Sequence, residues 1–331
     1  MKDIELCGLG NALVDLQYNT SFEDLERLDI NHGEMRLVTP EEQTKKLIKL
    51  AGEDHYKSSG GSAANTIIAF SAFGGKAAYK TVLGKDNFGD YYLSEFKKLG
   101  IELFTEQLED MPTGTCVVLI TPDSERTMST CLAATSQFNQ NNISKELIER
   151  SNWLYLEGYK FSEPESTKAI YNALDYAIAS NTKVSVTFSD FFITENFREQ
   201  LQNVVAKSDL VFCNEDELKS FAGEQDFDRA ISKLETMAKN FAVTKGKQGS
   251  VVKWEDKVYL IKPYSATPVD TTGAGDMYAG AFLYGLIKTG NPEIAGNLGS
   301  KAAARIISQY GARLNESHEN IKNSIFKEFG V

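Results

Sequence analysis

Asp276 closes the heptapeptide DTTGAGD (270–276), which runs on into the small-residue stretch MYAGAFLYGLIKTG. Gly273 and Gly275 bracket Ala274 where a helix should begin, so three successive backbone N–H groups lack intrahelical partners and form an anion site. A carboxylate in the first turn beyond them can take a proton from a nucleophile that approaches a phosphate held there. Phosphoryl transfer asks little more of a protein than such positioning and charge stabilisation. A glycine-rich turn capping a buried helix would look the same over GAG alone, whereas the full heptapeptide is far more specific.

Other residues could serve the same chemistry. Asn214 and Glu217, in NEDE, stand at i and i+3 and share a helix face. An amide and a carboxylate there suit Mg²⁺, which keeps most of its water, so Glu217 is expected to act through water. A capping arrangement for the helix after Cys213 accounts for the pair equally well, and both can hold. Gly60 and Gly61 open a helical stretch over 61–73, with Asn65 one turn in, able to donate and accept toward hydroxyls; a solvated amide near a helix start is the plain alternative. TKGKQGS (244–250), with Thr244, Gly246 and Gly249, is a glycine-rich turn between strands, either a simple hairpin or a ligand border. Gly8-x-Gly10 with Asp29 is a partial dinucleotide fingerprint, but Leu13 stands where the third glycine belongs and no clean helix follows. The chain holds no GxxxxGK[ST] and no HRD, and SDFF at 189–192 is not DFG, so P-loop and protein-kinase chemistry are excluded by motif.

The elements that must position these groups follow from the pattern. The 331 residues suffice for one large α/β domain with a small appendage. Helix-like stretches at 163–180, 195–207 and 226–239 alternate with strand-like WLYLEG (153–158), KVSVTF (183–188), DLVFCN (209–214) and FAVTKG (241–246), a βαβ rhythm that implies a parallel, helix-covered sheet. Sites cluster at the carboxyl ends of such strands, where Asn214 and Glu217, Thr244 to Gly249, and DTTGAGD itself all fall. Residues 11–40, including GEMRLV (33–38), and residues 102–132, including TGTCVVLI before a turn at PDS (122–124), read as strands of a small separate sheet. With 35 basic against 46 acidic residues, net −11 and no basic run, the chain is unsuited to nucleic acid or an anionic membrane. The cysteines, Cys7, Cys116, Cys131 and Cys213, lie mostly in apolar contexts without CxxC spacing and read as buried free thiols. No signal-like stretch or membrane-length apolar run is present, so a soluble, cytoplasmic protein is expected.

DTTGAGD, GGSAANTIIAFSAFGG with LGKDNFGDY (83–91), and NxxE at Asn214 and Glu217 together resemble the signatures of the PfkB (ribokinase-like) family of sugar and nucleoside kinases, over nearly the whole chain. The resemblance implies a ribokinase-like α/β fold, one domain over 1–331, with a mostly parallel sheet covered by helices on both faces and a small β-sheet lid from about 11–40 and 102–132. It implies ATP and Mg²⁺ as cofactors, and K⁺ as an activator held near Asp270 and Thr272. In it Asp276 is the general base toward a primary hydroxyl, Gly273, Ala274 and Gly275 form the anion hole, and Arg126 crosses from the lid onto the transferring phosphate. Asn11, Asp15, Gly60, Gly61, Asn65 and Met128 would bind the acceptor; Asn214, Thr244, Gly246 and Gly249 the nucleotide. A carboxylate near a helix N-terminus is expected to be a weak base, because the dipole favours its ionised form. GLGNALVD, PTGTC (112–116), CLAAT (131–135) and FSDFFIT (188–194) resemble the adenosine-kinase-like branch, with Leu13, Met128 and Phe161 able to supply an apolar slot for a base. Lys160 departs from that branch, standing where an aromatic residue packs on the base, and Lys160 or Arg36 could instead meet a sugar phosphate. A sugar kinase and a non-catalytic ligand sensor therefore stay open, as do monomer and homodimer, since an exposed lid edge could pair with a second copy.

Overall fold

The computed structural model describes residues 2–28, 30–123 and 125–331; Asp29 and Ser124, named above, lie outside the described residues. Nine strands form the main sheet, in the order Lys257–Ile261, Ser250–Trp254, Phe241–Thr244, Leu210–Asn214, Lys183–Thr187, Ser151–Glu157, Ile4–Leu9, Ala77–Gly84 and Glu102–Leu108. Every neighbouring pair is parallel except the two that involve Ser250–Trp254, where the 244–250 turn and Glu255–Asp256 close hairpins. Parallel strands covered on both faces read as continuous apolar runs, and all eight residues of Ala77–Gly84 are buried. Alternate residues of Ile4–Leu9 feed opposite cores: Leu6 joins the one built with the helices Ser62–Ala72, Ala274–Thr289 and Pro292–Ile306, while Cys7 joins the one built with Pro164–Ala179, Arg198–Val205 and Phe227–Met237.

A second sheet of five strands runs Met35–Leu37, Arg126–Cys131, Gly114–Ile120, Leu13–Asn19 and Tyr56–Gly60. Its composition corrects the expected lid. Glu102–Leu108 belongs to the main sheet, because the helix Asn87–Lys98 supplies a crossover that lays it parallel beside Ala77–Gly84. Tyr56–Gly60, which sequence reasoning left unassigned, pairs antiparallel with Leu13–Asn19. Register places Asp15, Gln17, Cys116, Val118, Met128, Thr130, Met35 and Leu37 on one face, while Val14, Leu16, Val117 and Ser129 turn toward the helix Pro40–Lys49 and the body behind it.

Candidate active site

Helix Ala274–Thr289 begins where DTTGAGD predicts, with Gly273 as its N-cap in the left-handed region at φ 73°. The Ala274 N–H donates to Thr271 O at 3.2 Å, so the hole is narrower than three open donors; among the described residues, the N–H groups of Gly273 and Gly275 have no protein acceptor. Asp276 meets the other glycine motif directly. Ser62 donates to its Oδ1 at 2.7 Å and Asn65 to its Oδ2 at 3.3 Å, both from the first turn of helix Ser62–Ala72. Gly61 starts that helix at φ 106°, and a Cβ there would fall 2.1 Å from Asn11 O, so the Asn11 loop and the helix can approach only through glycine.

The charge state of Asp276 differs from the sequence expectation. Burial raises its pKa to about 6, against the lowering by its bonds to Ser62 and Asn65. Enclosure of the carboxyl outweighs the helix end, which leaves a carboxylate that titrates nearer neutral pH. Asp15 is raised to about 7, first by burial and further by Asp276 and Glu95, while Arg313 and Arg126 act in the opposite sense. Both carboxylates are ionised above these values. We therefore expect kcat/KM to fall as pH drops through 7 and then 6, with a slope steeper than one proton requires; a single-proton limb centred near the ordinary carboxylate range would contradict it.

A cavity of about 80 Å³ opens beside Asp276, lined by Ser62, Thr187, Ser189, Asn214, Glu217, Thr244, Gly275 and Tyr278. Asn214 and Glu217 form a reciprocal capping box, Asn214 Oδ1 accepting the Glu217 N–H at 2.8 Å and Glu217 Oε2 accepting the Asn214 N–H at 2.9 Å. Glu217 is raised to about 7, first by burial and then by Asp190 and Asp276. Two carboxylates, Glu217 and Asp276, line this cavity, and a divalent cation held mainly by water would relieve their repulsion; no group of three or more ligating side chains converges at metal distance among the described residues.

Arg126 lies on the second sheet and reaches the heptapeptide. It donates to Thr272 Oγ1 at 2.7 Å and forms an ion pair with Asp270, whose other contacts are the Gly311 N–H and the Thr272 N–H at 2.8 and 3.0 Å. The carboxylate expected beside a monovalent cation is thus neutralised by the arginine. Gly246 and Gly249 sit in the hairpin turn and line neither cavity; Gly249 is required by the turn itself, at φ 88° with Ile261 O 2.0 Å from an added Cβ. Phe161 is 2% exposed in the main-domain core and cannot line an acceptor slot. Lys160 is equally buried, and Arg36 faces the side of its sheet opposite Asp15, so neither meets a sugar phosphate in the cleft. Met128 stays on the site face, paired in register with Met35. Sequence reasoning missed Ser62, Ser189, Glu157 and Arg313; only Ser62, three residues before Asn65 on the same helix face, carried a signal.

A wider cleft of about 920 Å³ lies farther out, between Gln17, Tyr56 and Ser58 of the second sheet and the segment Tyr310–Arg313. Its size suits a small molecule, yet Asp15, Asn65 and Asp276 do not line it; of the three, Asp276 lines the inner pocket.

This geometry, a helix start with open N–H groups, a carboxylate in its first turn and a second sheet that contributes an arginine, together with the family match that follows, gives a phosphotransferase acting on an alcohol group. The chain belongs to the pfkB family of carbohydrate kinases, whose pattern matches residues 30–319. It is 28% identical to adenosine kinase of Saccharomyces cerevisiae over 324 residues, covering 92% of this chain and 94% of that one. Among solved structures it is similar to adenosine kinase from Sinorhizobium meliloti, with 30% identity, TM-score 0.88 and coverage of 98% and 99% of the two chains. A probable sugar kinase from Rhizobium etli CFN 42 is as similar, with 29% identity, TM-score 0.88 and coverage of 100% and 99%.

Proposed function

We propose that the protein transfers the γ-phosphate of ATP to a primary hydroxyl of a ribose-bearing, adenosine-like nucleoside, with Asp276 as general base. The observation that carries this is the convergence on Asp276 of Ser62 and Asn65 from one signature and of the Gly273–Gly275 helix start from the other. The hydroxyl proton passes to Asp276 as its oxygen bonds to phosphorus, while the open N–H groups and Arg126 meet charge on the transferring phosphate. Asn11 and Asp15 orient the sugar, and Thr244 and Asn214 border the nucleotide. Glu217 would hold Mg²⁺ through water, and the ion would supply charge neutralisation for the phosphates.

Met35, Leu37 and Met128 form an apolar strip on the same face as Asp15, with Met35 and Leu37 55% and 66% exposed. That strip supports a flat base lying against the second sheet, which acts as a lid excluding water from the transfer. A plain sugar acceptor is the second reading, favoured by the absence of any aromatic residue on the strip. A K⁺ near Asp270 would have to share its carboxylate with Arg126. The four buried thiols fit a reducing cytoplasmic setting.

ATP consumption with Mg²⁺ and K⁺ across adenosine, inosine, guanosine, cytidine, ribose, fructose and fructose 6-phosphate tests the reading. Turnover with a nucleoside supports it; turnover with a sugar alone replaces the acceptor but keeps the mechanism. Silence with ATP binding intact favours a sensor. Glu217→Gln is expected to raise the Mg²⁺ concentration for half-maximal activity by about tenfold, as loss of an outer-shell carboxylate does; an unchanged Mg²⁺ titration would remove Glu217 from the metal site.

A further inference from the structure

Glu157, at the end of strand Ser151–Glu157, is fully buried, and both of its oxygens are in use. Oε1 accepts the Asn11 N–H at 2.6 Å and Oε2 the Ala63 N–H at 2.8 Å. Asn11 leads into the strand that carries Asp15, and Ala63 lies between Ser62 and Asn65, the two residues that hold Asp276. One carboxylate thus fixes the acceptor loop and the supports of the base together. Gly10 allows this approach, since a Cβ there would fall 2.7 Å from the carboxylate.

Lys160 grips the same loop from the other side. Its Nζ donates to Thr135 O at 2.8 Å and lies 4.9 Å from the centre of the Phe138 ring. Thr135 Oγ1 in turn accepts the Ala12 N–H and donates to Asn11 Oδ1, each at 3.2 Å. The ammonium touches no carboxylate, so its charge reaches Glu157 through the interior, where screening is weak.

We propose that Glu157 and Lys160 are a buried positioning pair, in which the lysine keeps the carboxylate ionised so that it holds the acceptor loop and the Ser62–Asn65 turn in register. This rests on the kinase reading of the cleft. A protonated Glu157 would turn an O–H against one of the two N–H donors and release one side of the clamp. Burial pushes Glu157 up, and Lys160 is the largest opposing influence, ahead of the two N–H donors. Asp276 also faces Glu157 and raises it, Glu163 faces Lys160, and Tyr79, Tyr92, Tyr155 and Tyr159 surround the pair, all raised and neutral near pH 7. Asp276, raised to about 6, titrates close to the same window, whereas the four tyrosines do not.

The test needs no known acceptor in its first arm, which is melting temperature against pH for wild type, Lys160→Met, Glu157→Gln and the double variant. Without the lysine, folded Glu157 holds its proton to higher pH than the unfolded chain does, so stability falls with rising pH between about pH 6 and 9 relative to wild type. Without the carboxylate, folded Lys160 loses its proton earlier than the unfolded chain does, so stability rises over that range. The double variant shows neither slope. A Lys160→Met profile parallel to wild type overturns the proposal. Should Lys160→Met fail to fold, the charge-free double variant decides: a double variant that folds shows that the stranded carboxylate caused the failure and supports the pair, and one that also fails to fold overturns it.

The second arm uses adenosine as the acceptor probe at saturating ATP. Lys160→Met raises the adenosine KM about tenfold at pH 7, a displacement-sized loss, with recovery at higher pH and an unchanged ATP KM; Glu157→Gln raises it at every pH. A folded Lys160→Met with wild-type adenosine KM overturns the positioning role. Wild-type silence toward adenosine counts against the acceptor reading and leaves the melting result to decide on the pair.

Discussion

Replacing Asp276 by asparagine lowers kcat by about 10³- to 10⁴-fold, the upper span of general-base catalysis, while the KM for ATP stays within a few-fold of wild type. The amide keeps a hydrogen bond to Ser62 and fills the same space, but it takes no proton from the acceptor. The same variant is expected to melt at a higher temperature. Asp276 has its folded pKa raised to about 6, so above that value the fold carries the strain of an enclosed charge that the unfolded chain solvates freely. That penalty is absent below the unfolded carboxylate pKa, and the gain in melting temperature therefore appears near pH 7 and vanishes toward pH 4. Turnover near wild type would remove Asp276 from the mechanism; a fall in melting temperature at pH 7 would contradict its raised pKa.

Arg126→Met should be the most damaging change outside the heptapeptide. The arginine and Asp270 side chains are 10% and 3% exposed, so removing the cation leaves a buried carboxylate without its charge partner. Breaking such a pair costs about 3–5 kcal/mol. Loss of one preorganised donor to the transferring phosphate lowers kcat by a further factor of about 10² to 10³. The two effects separate in the double variant Arg126→Met/Asp270→Asn, which recovers thermal stability by removing the stranded charge but does not recover turnover. Thermal melts and steady-state kinetics on the single and double variants check this. Wild-type stability in Arg126→Met would show that the pair contributes little, and retained kcat would take Arg126 off the phosphate.

The main sheet was legible because its strands between 151 and 244 are apolar runs of the expected length, each followed by a helical period. The hairpin at 244–250 and the capping box at Asn214 and Glu217 were legible because their geometry is local. The second sheet was only half legible. Its strands are short and mostly polar on one face, and nothing in YKSSG announces that Tyr56–Gly60 pairs with Leu13–Asn19 rather than simply leading into a helix. Glu102–Leu108 was misplaced because it is only partly buried, so it lacks the apolar continuity of Ala77–Gly84 beside it. The charge of Asp276 was misjudged for a related reason: its helix position is local information, whereas the burial that raises its pKa comes from the tertiary fold. Lys160, odd where a flat ring was expected, became intelligible only with Glu157 and Thr135 around it.

The bonds that assemble the candidate site join residues far apart in the chain: Ser62 with Asp276, Arg126 with Asp270, and Asp270 with the Gly311 N–H. A ribosome delivers these partners in sequence, so a nascent chain holds Ser62, Asn65 and Arg126 for most of its synthesis with nothing for them to act upon. The segment around Gly311 has to emerge before its N–H can complete the contacts of Asp270. On the proposed mechanism, the onset of turnover therefore dates the folding of the chain past that point.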